Sequence, residues 1–346
     1  MNTDRNHSHD GAPLPRRPRL LAADHPATGD SDRSPQTGLA GPRLTGASFP
    51  EPRLVPTSAA AVPPLASAPA RLVTYNTLAG GIDADGGERR RLGQTEFLAS
   101  LDADVIALQD LRGWGQGGWW RLWAVAHALG MVPLPPVLCA RGGGRHQALL
   151  YRPRTVRVVS YVDDAEGGTF HHGLGRARLY VKDQPLTVLF THLCPLGGAE
   201  RLAEAQWLTA YGDTWQGDPQ RVVLAGDLNT IGQHDPEPDW FRVPASRRSR
   251  HCHLTPGGAF GDTDRRAIQL LAKAGFHDPF DVLGQAPPCT TGYWGPEEAV
   301  EHRSDFILAN WHVVDHVTAA DVHDTETTRA LSDHLPVVLD IAPPAL

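Results

Sequence analysis

Residues 221–230 read RVVLAGDLNT, and this stretch decides the fold. The run Arg221–Ala225 is almost wholly apolar after its first residue, as is typical of a strand that is buried on both faces. It ends in Gly226-Asp227-Leu228-Asn229, where a glycine and two polar side chains interrupt the apolar pattern. The sequence therefore predicts a buried strand that carries Asp227 and Asn229 to the edge of a sheet.

The same pattern, an apolar strand followed by polar residues, recurs on both sides of this stretch. Strands are predicted over 71–76, 105–108, 147–151, 176–181, 186–191, 304–309 and 337–341, and helices over 89–101, 119–129, 200–211 and 263–274. Many of these strands follow one another without a helical crossover, which excludes a doubly wound parallel sheet. We therefore expect an α+β fold with two sheets packed between helices. In the second helix, Trp119, Leu122, Trp123 and Ala126 follow helical spacing and are expected to face the core.

The chain divides into two parts by composition. Residues 1–70 are rich in Pro, Ala and Arg and have no apolar periodicity, so we predict a disordered segment and linker. Residues 71–346 are long enough for one large folded domain. Arg16 and Arg17 are followed by too few apolar residues for a secretion signal, and no run is long enough for a membrane span. These features predict a cytoplasmic protein with free thiols at its 4 cysteines.

The formal net charge is −7. Proteins that bind long nucleic acids through non-specific phosphate contacts are usually basic. Nucleic acid therefore stays a candidate partner, but tight non-specific binding is not favoured.

Polar side chains stand at the ends of the predicted strands or directly after them. They are Asn76, Asp110, His192, Asp227, Asn229, Asp305, Asp333 and His334. Strand ends that face one edge of a sandwich converge, so these residues are expected to line one cleft. Asp110, Asp333 and the Asn76 amide offer the oxygen ligands that Mg²⁺ prefers. A pairing of His334 with Asp305 would fix the imidazole tautomer, and together the residues suit hydrolysis of a phosphate ester.

The order of the motifs resembles one known family. VTYNTL (73–78), DVIALQD (104–110), THL (191–193), AGDLNT (225–230), SDFIL (304–308) and SDHLP (332–336) are similar to motifs of the endonuclease/exonuclease/phosphatase superfamily. The resemblance implies a deoxyribonuclease I-like fold, a four-layer α/β/β/α sandwich, with residues 71–346 as its catalytic domain. It also implies a divalent-metal-dependent phosphoesterase. A phosphodiester is favoured, of nucleic acid, nucleotide, phospholipid or inositol-phosphate type.

The resemblance assigns roles to five residues that handle the phosphate. Asp227 resembles the aspartate that orients or deprotonates the attacking water, and Asn229 its partner in holding the phosphate. His192 is similar to the histidine that hydrogen-bonds a phosphate oxygen. His334 resembles the second catalytic histidine, with Asp305 as its orienting carboxylate.

The same resemblance places Asn76, Asp110 and Asp333 at the metal. Here the chain departs from the family, which normally has Gln-Glu where this sequence has Gln109-Asp110. Aspartate is one methylene shorter, which draws the carboxylate back by about 1.5 Å. Since bonds to Mg²⁺ of about 2.1 Å tolerate little slack, the backbone moves in, a water bridges, or a larger ion such as Mn²⁺ or Ca²⁺ binds. The remaining alternative is a weakened or inactive member that acts as a phospho-ligand or protein binding module.

A basic cluster follows Asn229. Arg247, Arg248 and Arg250 stand out in an otherwise acidic chain. One interpretation is that they contact further phosphates of the substrate at the cleft mouth. The other is an ordinary solvated loop, and the sequence alone leaves both open.

Overall fold

The structure is a computed structural model that describes residues 68–139, 141, 143–215, 217–296 and 299–343. Of the segment predicted to be a disordered linker, residues 1–67 lie outside the described residues. Within the described part of the chain, no helix combines the length and apolar character needed to cross a membrane.

Sixteen strands are present among the described residues. They are β1 (Ala70–Asn76), β2 (Val105–Gln109), β3 (Val132–Pro133), β4 (Ala148–Tyr151), β5 (Val156–Val162), β6 (Leu174–Val181), β7 (Gln184–His192), β8 (Thr214–Trp215), β9 (Asp218–Pro219), β10 (Val222–Asp227), β11 (Cys252–Leu254), β12 (Phe260–Thr263), β13 (Phe276–His277), β14 (Asp305–Asn310), β15 (Val317–Val322) and β16 (Val337–Ile341).

Eight α-helices connect or cover these strands in the part of the chain that is described. They are α1 (Arg89–Ser100), α2 (Trp120–Ala128), α3 (Gly198–Leu208), α4 (Ala245–Arg248), α5 (Arg266–Lys273), α6 (Pro279–Val282), α7 (Trp311–Val314) and α8 (Glu326–Leu331). Short 3₁₀ helices occur at Ala79–Gly81, Thr209–Tyr211 and Trp240–Arg242.

Two six-stranded mixed sheets form the centre of the domain. The first has the strand order β15-β16-β1-β2-β4-β3, and the second has the order β13-β14-β10-β7-β6-β5. Each sheet contains one parallel pair, β1 with β2 and β7 with β10, and its other pairs are antiparallel. Because parallel strands end at the same edge, each pair delivers two successive loops to one side of its sheet.

The inner faces of the two sheets pack against each other. One buried apolar cluster contains residues from both, including Leu72, Ala107 and Leu339 from the first sheet and Val188, Phe190 and Ile307 from the second. These residues alternate along their strands with residues that face outward, as the two-residue period of a strand requires.

Helices cover the two outer faces. On the first sheet, Leu98 of α1 and Leu122 of α2 share a buried cluster with strand residues such as Ile106. On the second sheet, α3 and α5 are buried against strand residues in the same way, through Leu208 and Leu271. The layers are therefore helix, sheet, sheet and helix, which confirms the predicted α+β four-layer sandwich.

The expected burial of helix α2 was wrong in one respect. Its buried residues are Leu122, Val125 and Ala126, whereas the Trp123 side chain is 57% exposed. The buried stripe is thus shifted from the one that the large aromatic residues suggested. The large indole of Trp123 favoured a prediction of burial, but the geometry of the helix decides which side chains point inward.

Strands β5 and β15 were not predicted from the sequence. Both lie at the edge of a sheet, and both are only partly buried. Partly exposed edge strands carry polar residues such as Arg157 and Asp321, which weaken the apolar signal. The predicted long loop after Asn229 contains α4 and the hairpin of β11 and β12.

Candidate active site

The register of the strands brings the polar strand ends together. Asp227 at the end of β10 pairs with His192 at the end of parallel β7, and on its other side with Asp305 at the start of antiparallel β14. In the first sheet, Asn76 pairs with Gln109, the residue before Asp110. The chain therefore places these side chains at one edge of both sheets.

A cleft of about 320 Å³ opens at this edge. Of the residues singled out from the sequence, those that line it are Asn76, Asp110, His192, Asp227, Asn229, Arg247, Arg250, Asp333 and His334. Asp305 does not line the cleft and is buried behind His334. Arg248 does not line it either.

Asp227 is the hub of the cleft. One carboxylate oxygen accepts a hydrogen bond from the Asn229 backbone N–H at 2.9 Å, and the other accepts from Asn76 Nδ2 at 3.0 Å. The second oxygen also lies 3.3 Å from His192 Nε2 and 3.7 Å from His334 Nε2. Burial by itself would raise the pKa of Asp227, but the two histidines and the two donors outweigh it and lower that pKa. Asp227 is therefore an anion held between two imidazoles.

Asn229 owes its place to a tight turn after the strand. Its φ of 49° lies in the left-handed region, which asparagine tolerates better than most residues. Its side-chain Nδ2 donates to the Leu193 carbonyl at 2.9 Å and so ties this turn to the loop after β7. The turn presents the Asn229 backbone N–H to Asp227 and holds its amide at the cleft wall.

His334 and Asp305 form a buried hydrogen-bonded pair. Nδ1 of His334 lies 2.7 Å from Oδ2 of Asp305, and the same oxygen accepts from the Thr290 hydroxyl at 2.7 Å. Burial disfavours a charged imidazole, but Asp305, Asp227 and Asp333 outweigh it and hold the pKa of His334 well above the ordinary range. Thr290 was not predicted from the sequence, because it stands in an irregular segment with no motif around it.

Behind His192 stands a second buried histidine. Nδ1 of His172 lies 3.0 Å from the His192 backbone carbonyl oxygen, and the two ring centroids are 4.1 Å apart at an angle of 37°. His172 has no exposed surface. The sequence showed only that His171 and His172 precede a strand, and gave no reason to connect either with His192.

Asp110 differs from Asp227 in having few partners. Its backbone has φ 52°, and one carboxylate oxygen accepts from the Ala79 backbone N–H at 3.2 Å. The other oxygen is buried and has no hydrogen-bond partner in the part of the chain that the structure describes. It lies 3.8 Å from Arg112 Nη2 and 3.8 Å from Arg145 Nε, beyond hydrogen-bond distance. A buried carboxylate oxygen without a donor is costly unless a cation satisfies it.

The neighbours of Asp110 complete an oxygen-rich set. Asn76 Oδ1 accepts from the Leu78 backbone N–H at 3.2 Å, and Asp333 Oδ1 accepts from the Ser332 hydroxyl at 3.4 Å. Carboxylate and amide oxygens are the ligands that hard divalent cations select. The unpartnered oxygen of Asp110 and the chemistry of this set therefore fit a divalent cation.

A second group of residues could also hold a metal. Asp227, Asp305 and His334 each offer a ligand atom, and these atoms lie within 4.8 Å of one another. However, His334 Nδ1 and Asp305 Oδ2 already bond to each other at 2.7 Å, so an ion here would have to use other atoms, such as the unpartnered Asp305 Oδ1, and Asp305 does not line the cleft. This group is better described as a hydrogen-bonded relay than as an open metal site.

The three arginines of the basic cluster differ in their placement. Arg247 and Arg250 line the cleft. Arg248 instead donates to the backbone carbonyls of Trp240, Phe241 and Val243 at 2.9–3.1 Å. The structure therefore does not bring Arg248 to the cleft, and its guanidinium stabilises the loop that carries the other two.

Helix α3 fixes this loop to the rest of the site. The buried Arg201 donates from one nitrogen to the Arg250 carbonyl at 2.7 Å and from another to the Cys194 carbonyl at 3.2 Å. One turn later, Glu204 accepts from the backbone N–H groups of Cys194 at 2.7 Å and His171 at 2.6 Å. The loops that carry His192, His172 and Arg250 are thus braced from one helix.

An aromatic wall completes the cleft and was also missed from the sequence. The rings of Trp240 and His251 stack at 4.1 Å with an angle of 8°, and His302 packs edge-on against both. All three line the cleft. Trp240 Nε1 donates to the Thr263 hydroxyl at 2.5 Å, which anchors the wall to β12.

The sequence model of the Endonuclease/Exonuclease/phosphatase family matches residues 73–334, which is well over half of the chain and includes every strand end described above. The chain belongs to this family. Family membership supports a phosphoesterase, and hence a hydrolase. No curated protein matches the sequence significantly.

Solved structures of the family are similar in fold. AP endonuclease LMAP from Leishmania major gives a TM-score of 0.55 at 16% identity, covering 80% of this chain and 89% of that one. A humanized TDP2 from D. rerio gives 0.53 at 16% identity over 80% and 99%. A mannosyl-6-phosphatase from Bacteroides thetaiotaomicron gives 0.53 at 16% identity over 79% and 100%. These similarities confirm the deoxyribonuclease I-like fold, and at such identity they carry nothing about the substrate.

Proposed function

We propose that this protein is a divalent-metal-dependent phosphodiesterase. The observation that carries the proposal is the environment of Asp227, a buried anion bonded by Asn76 and Asn229 and flanked by the Nε2 atoms of His192 and His334. A carboxylate held this way is suited to orient or deprotonate a water molecule, while imidazoles on either side donate to phosphate oxygens. Family membership gives the reaction class, and this arrangement supplies residues for each of its needs.

Each side chain of the cleft has a distinct part in this proposal. A water beside Asp227 gives a proton to the Asp227 carboxylate as its oxygen attacks phosphorus in line with the leaving oxygen. His334, oriented by Asp305 at 2.7 Å, gives the proton on Nε2 to the leaving oxygen as the bond from that oxygen to phosphorus breaks. His192 donates from Nε2 to another phosphate oxygen. The second N–H of the Asn229 amide, whose first bonds Leu193, contacts the phosphate as well.

The proposed metal ligands are Asn76, Asp110 and Asp333. A divalent cation held by them would stabilise negative charge on a phosphate oxygen as a Lewis acid. The oxygen-only donor set favours Mg²⁺, and the short Asp110 side chain makes Mn²⁺ or Ca²⁺ the alternatives. Arg247 and Arg250 on the cleft wall support a substrate with negative charge beyond the reacting phosphate.

The direct test compares a diester with a monoester. Bis-p-nitrophenyl phosphate and p-nitrophenyl phosphate are assayed with Mg²⁺, Mn²⁺ and Ca²⁺ in turn. We expect metal-dependent turnover that favours the diester and is abolished in His334→Ala. If no ion supports turnover of either substrate, and His334→Ala also leaves cleavage of nucleic acid unchanged, the protein is not this enzyme.

One observation favours a second candidate, a phospho-ligand binding module without turnover. The Asp110 carboxylate lies 3.8 Å from both Arg112 and Arg145. The positive charges of these arginines partly neutralise the negative charge that a metal ion requires at this site. This candidate predicts binding of phosphate compounds without metal-dependent hydrolysis. Asp110→Glu would then create activity, whereas in a working enzyme it should change the preferred ion more than the rate.

A further inference from the structure

His192 is held on its cleft side by Asp227. Among the described residues, Nδ1 of His192 has no hydrogen-bond partner, and neither has Nε2 of His172; both atoms are buried. The two ring centroids are 4.1 Å apart, so the His192 imidazole contacts His172 as well as Asp227.

The tautomer of His172 follows from its partner. A carbonyl oxygen can only accept, so Nδ1 of His172 carries the hydrogen that it shares with the His192 carbonyl at 3.0 Å. Nε2 of neutral His172 is therefore unprotonated. Burial, reinforced by the neighbouring His192, lowers the pKa of His172 to about 2, which agrees with a permanently neutral ring.

The tautomer of His192 follows in the same way. Its Nε2 lies 3.3 Å from Oδ2 of Asp227, which is an anion and can only accept. Nε2 is thus the protonated nitrogen, and Nδ1 is not. A protonated Nδ1 would have to leave its hydrogen unsatisfied or bond His172, and no such bond is present among the described residues.

The backbone of His172 is itself fixed. Gln147 Nε2 donates to the His172 carbonyl at 2.7 Å and to the Gly173 carbonyl at 3.0 Å. The Thr191 hydroxyl, next to His192, donates to the same Gly173 carbonyl at 2.9 Å. Strand β4, the segment before β6 and the end of β7 are therefore joined at this point, and His172 has little freedom to move.

We propose that His172 is a positioning residue for His192, which it fixes as the Nε2–H tautomer aimed at Asp227 and the substrate. The Nδ1–H group of His172 sets the backbone of His192, and through it the position of the His192 imidazole. His192 then acts as a neutral donor. The kinetic consequences rest on the proposed function, but the tautomer itself does not.

The first test needs neither metal nor activity. Long-range ¹H–¹⁵N spectra of the full chain, assigned with His172→Phe and His192→Gln, report which ring nitrogens carry hydrogen. We expect neutral rings at pH 7, with His172 protonated at Nδ1 and His192 at Nε2. A charged His192, or a His192 protonated at Nδ1, overturns the proposal, and the unsubstituted protein is sufficient to decide this.

The second test separates positioning from space filling. His172→Phe keeps the ring but loses the donor, while His172→Asn loses the ring but places an amide N–H near the same carbonyl. We expect His172→Phe to lower kcat on bis-p-nitrophenyl phosphate by roughly 10- to 100-fold, since small misplacements cost that much, with KM within about 2-fold. His172→Asn should recover part of the rate. Simple packing predicts the reverse order, and finding it would refute the proposal.

A matched control is His277→Phe. His277 also packs on an aromatic ring, Trp311 at 4.0 Å, and also has a buried unpartnered Nε2, but it does not line the cleft. We expect this variant to leave kcat and the His192 spectrum unchanged. If the unsubstituted protein hydrolyses no phosphate ester, the proposed function fails, and the spectra still decide whether His192 is the Nε2–H tautomer.

Discussion

The two halves of the cleft differ in the partners of their charged groups. In the half around Asp227, every charged group has partners: Asp227 contacts Asn76, Asn229 and two histidines, and His334 is bonded to Asp305. In the half around Asp110, one buried carboxylate oxygen has no hydrogen-bond partner among the described residues. Asp305 Oδ1 in the first half is unpartnered as well, but Asp305 and Asp227 each lie against an imidazole at 2.7–3.7 Å, whereas the guanidinium groups of Arg112 and Arg145 stay 3.8 Å from Asp110.

This difference indicates where an ion belongs. A hydrogen-bonded relay such as Asp305–His334 is preorganised, which makes its electrostatic effect on the reacting atoms large. An incomplete carboxylate site gains its missing partner only when a cation binds, so its contribution depends on solution conditions. Substitutions in the first half should therefore act on the rate, and those in the second should act on metal affinity.

The largest effect is expected at the hub. Asp227→Asn keeps the shape of the side chain but removes the charge between the two histidines. We predict that kcat/KM for the diester falls by about 10³- to 10⁴-fold, the combined scale of a general base and an electrostatic contact. Asp321→Asn, an exposed strand residue, is the control and should retain full activity. A loss of less than about tenfold would mean that another group activates the water.

The next effect distinguishes the two candidate metal sites. Asp110→Asn tolerates the left-handed backbone of φ 52° and removes one ligand charge. We predict that affinity for Mg²⁺ or Mn²⁺, measured by calorimetry, falls by roughly 10- to 100-fold or more, since even losing an outer-sphere partner costs that much. Raising the metal concentration should restore part of the activity.

Asp305→Asn is the matched variant in the other half. It should lower kcat while leaving metal affinity within about 2-fold of the unsubstituted protein, because Asp305 Oδ2 is bonded to His334 and Asp305 does not line the cleft. The opposite result, weak metal binding in Asp305→Asn and normal binding in Asp110→Asn, would assign the ion to Asp227, Asp305 and His334. The comparison between the two halves would then be reversed.

Much of this could be read from the sequence, because apolar strands that end in polar residues are a local signal. The four-layer fold and the strand ends at Asn76, His192 and Asp227 follow from such runs and their order. The shorter metal ligand, Asp110 in place of the family's glutamate, was also visible in the sequence as a single residue. A local sequence pattern is enough to predict a functional residue when the same strand both carries that residue and places it in the cleft.

Other features depend on contacts between distant segments and left no local signal. Thr290 reaches Asp305 from an irregular loop, and His172 reaches His192 across a hairpin. Arg247 and Arg248 are neighbours in a one-turn helix, where successive side chains point about 100° apart. That rotation directs Arg247 to the cleft and Arg248 to backbone carbonyls. The composition of the loop does not reveal this difference.

The half around Asp227 should also be sensitive to acid through His172, which supports His192. The folded-state pKa of His172 is about 2, and its titratable or charged neighbours, His192, His171 and Arg145, all oppose its protonation. An unfolded histidine binds a proton below about pH 6.5, whereas buried His172 does not, so this group contributes a loss of stability as pH falls. Between pH 7.5 and pH 5 the loss is about 2 kcal/mol.

Urea unfolding at the two pH values checks this. In His172→Asn, which has no such group, the fall in unfolding free energy between pH 7.5 and pH 5 should be smaller by about 2 kcal/mol. Equal slopes in the two proteins would show that His172 is protonated in the folded state.

The smallest effect concerns the cleft wall and compares neighbouring arginines. Arg247→Gln with Arg250→Gln removes two charges that line the cleft, and we predict that KM for an anionic diester rises by roughly 3- to 10-fold with little change in kcat, as expected for partly exposed charge-assisted contacts. Arg248→Gln removes a guanidinium bonded to three carbonyls, so it should lower stability by about 1 kcal/mol and leave KM unchanged.

If Arg248→Gln raises KM as much as the double variant does, the shape of the loop rather than its charge governs binding, since only loop geometry is common to both changes. If neither changes KM, the arginines belong to a solvated surface, and specificity must reside in the wall of Trp240, His251 and His302.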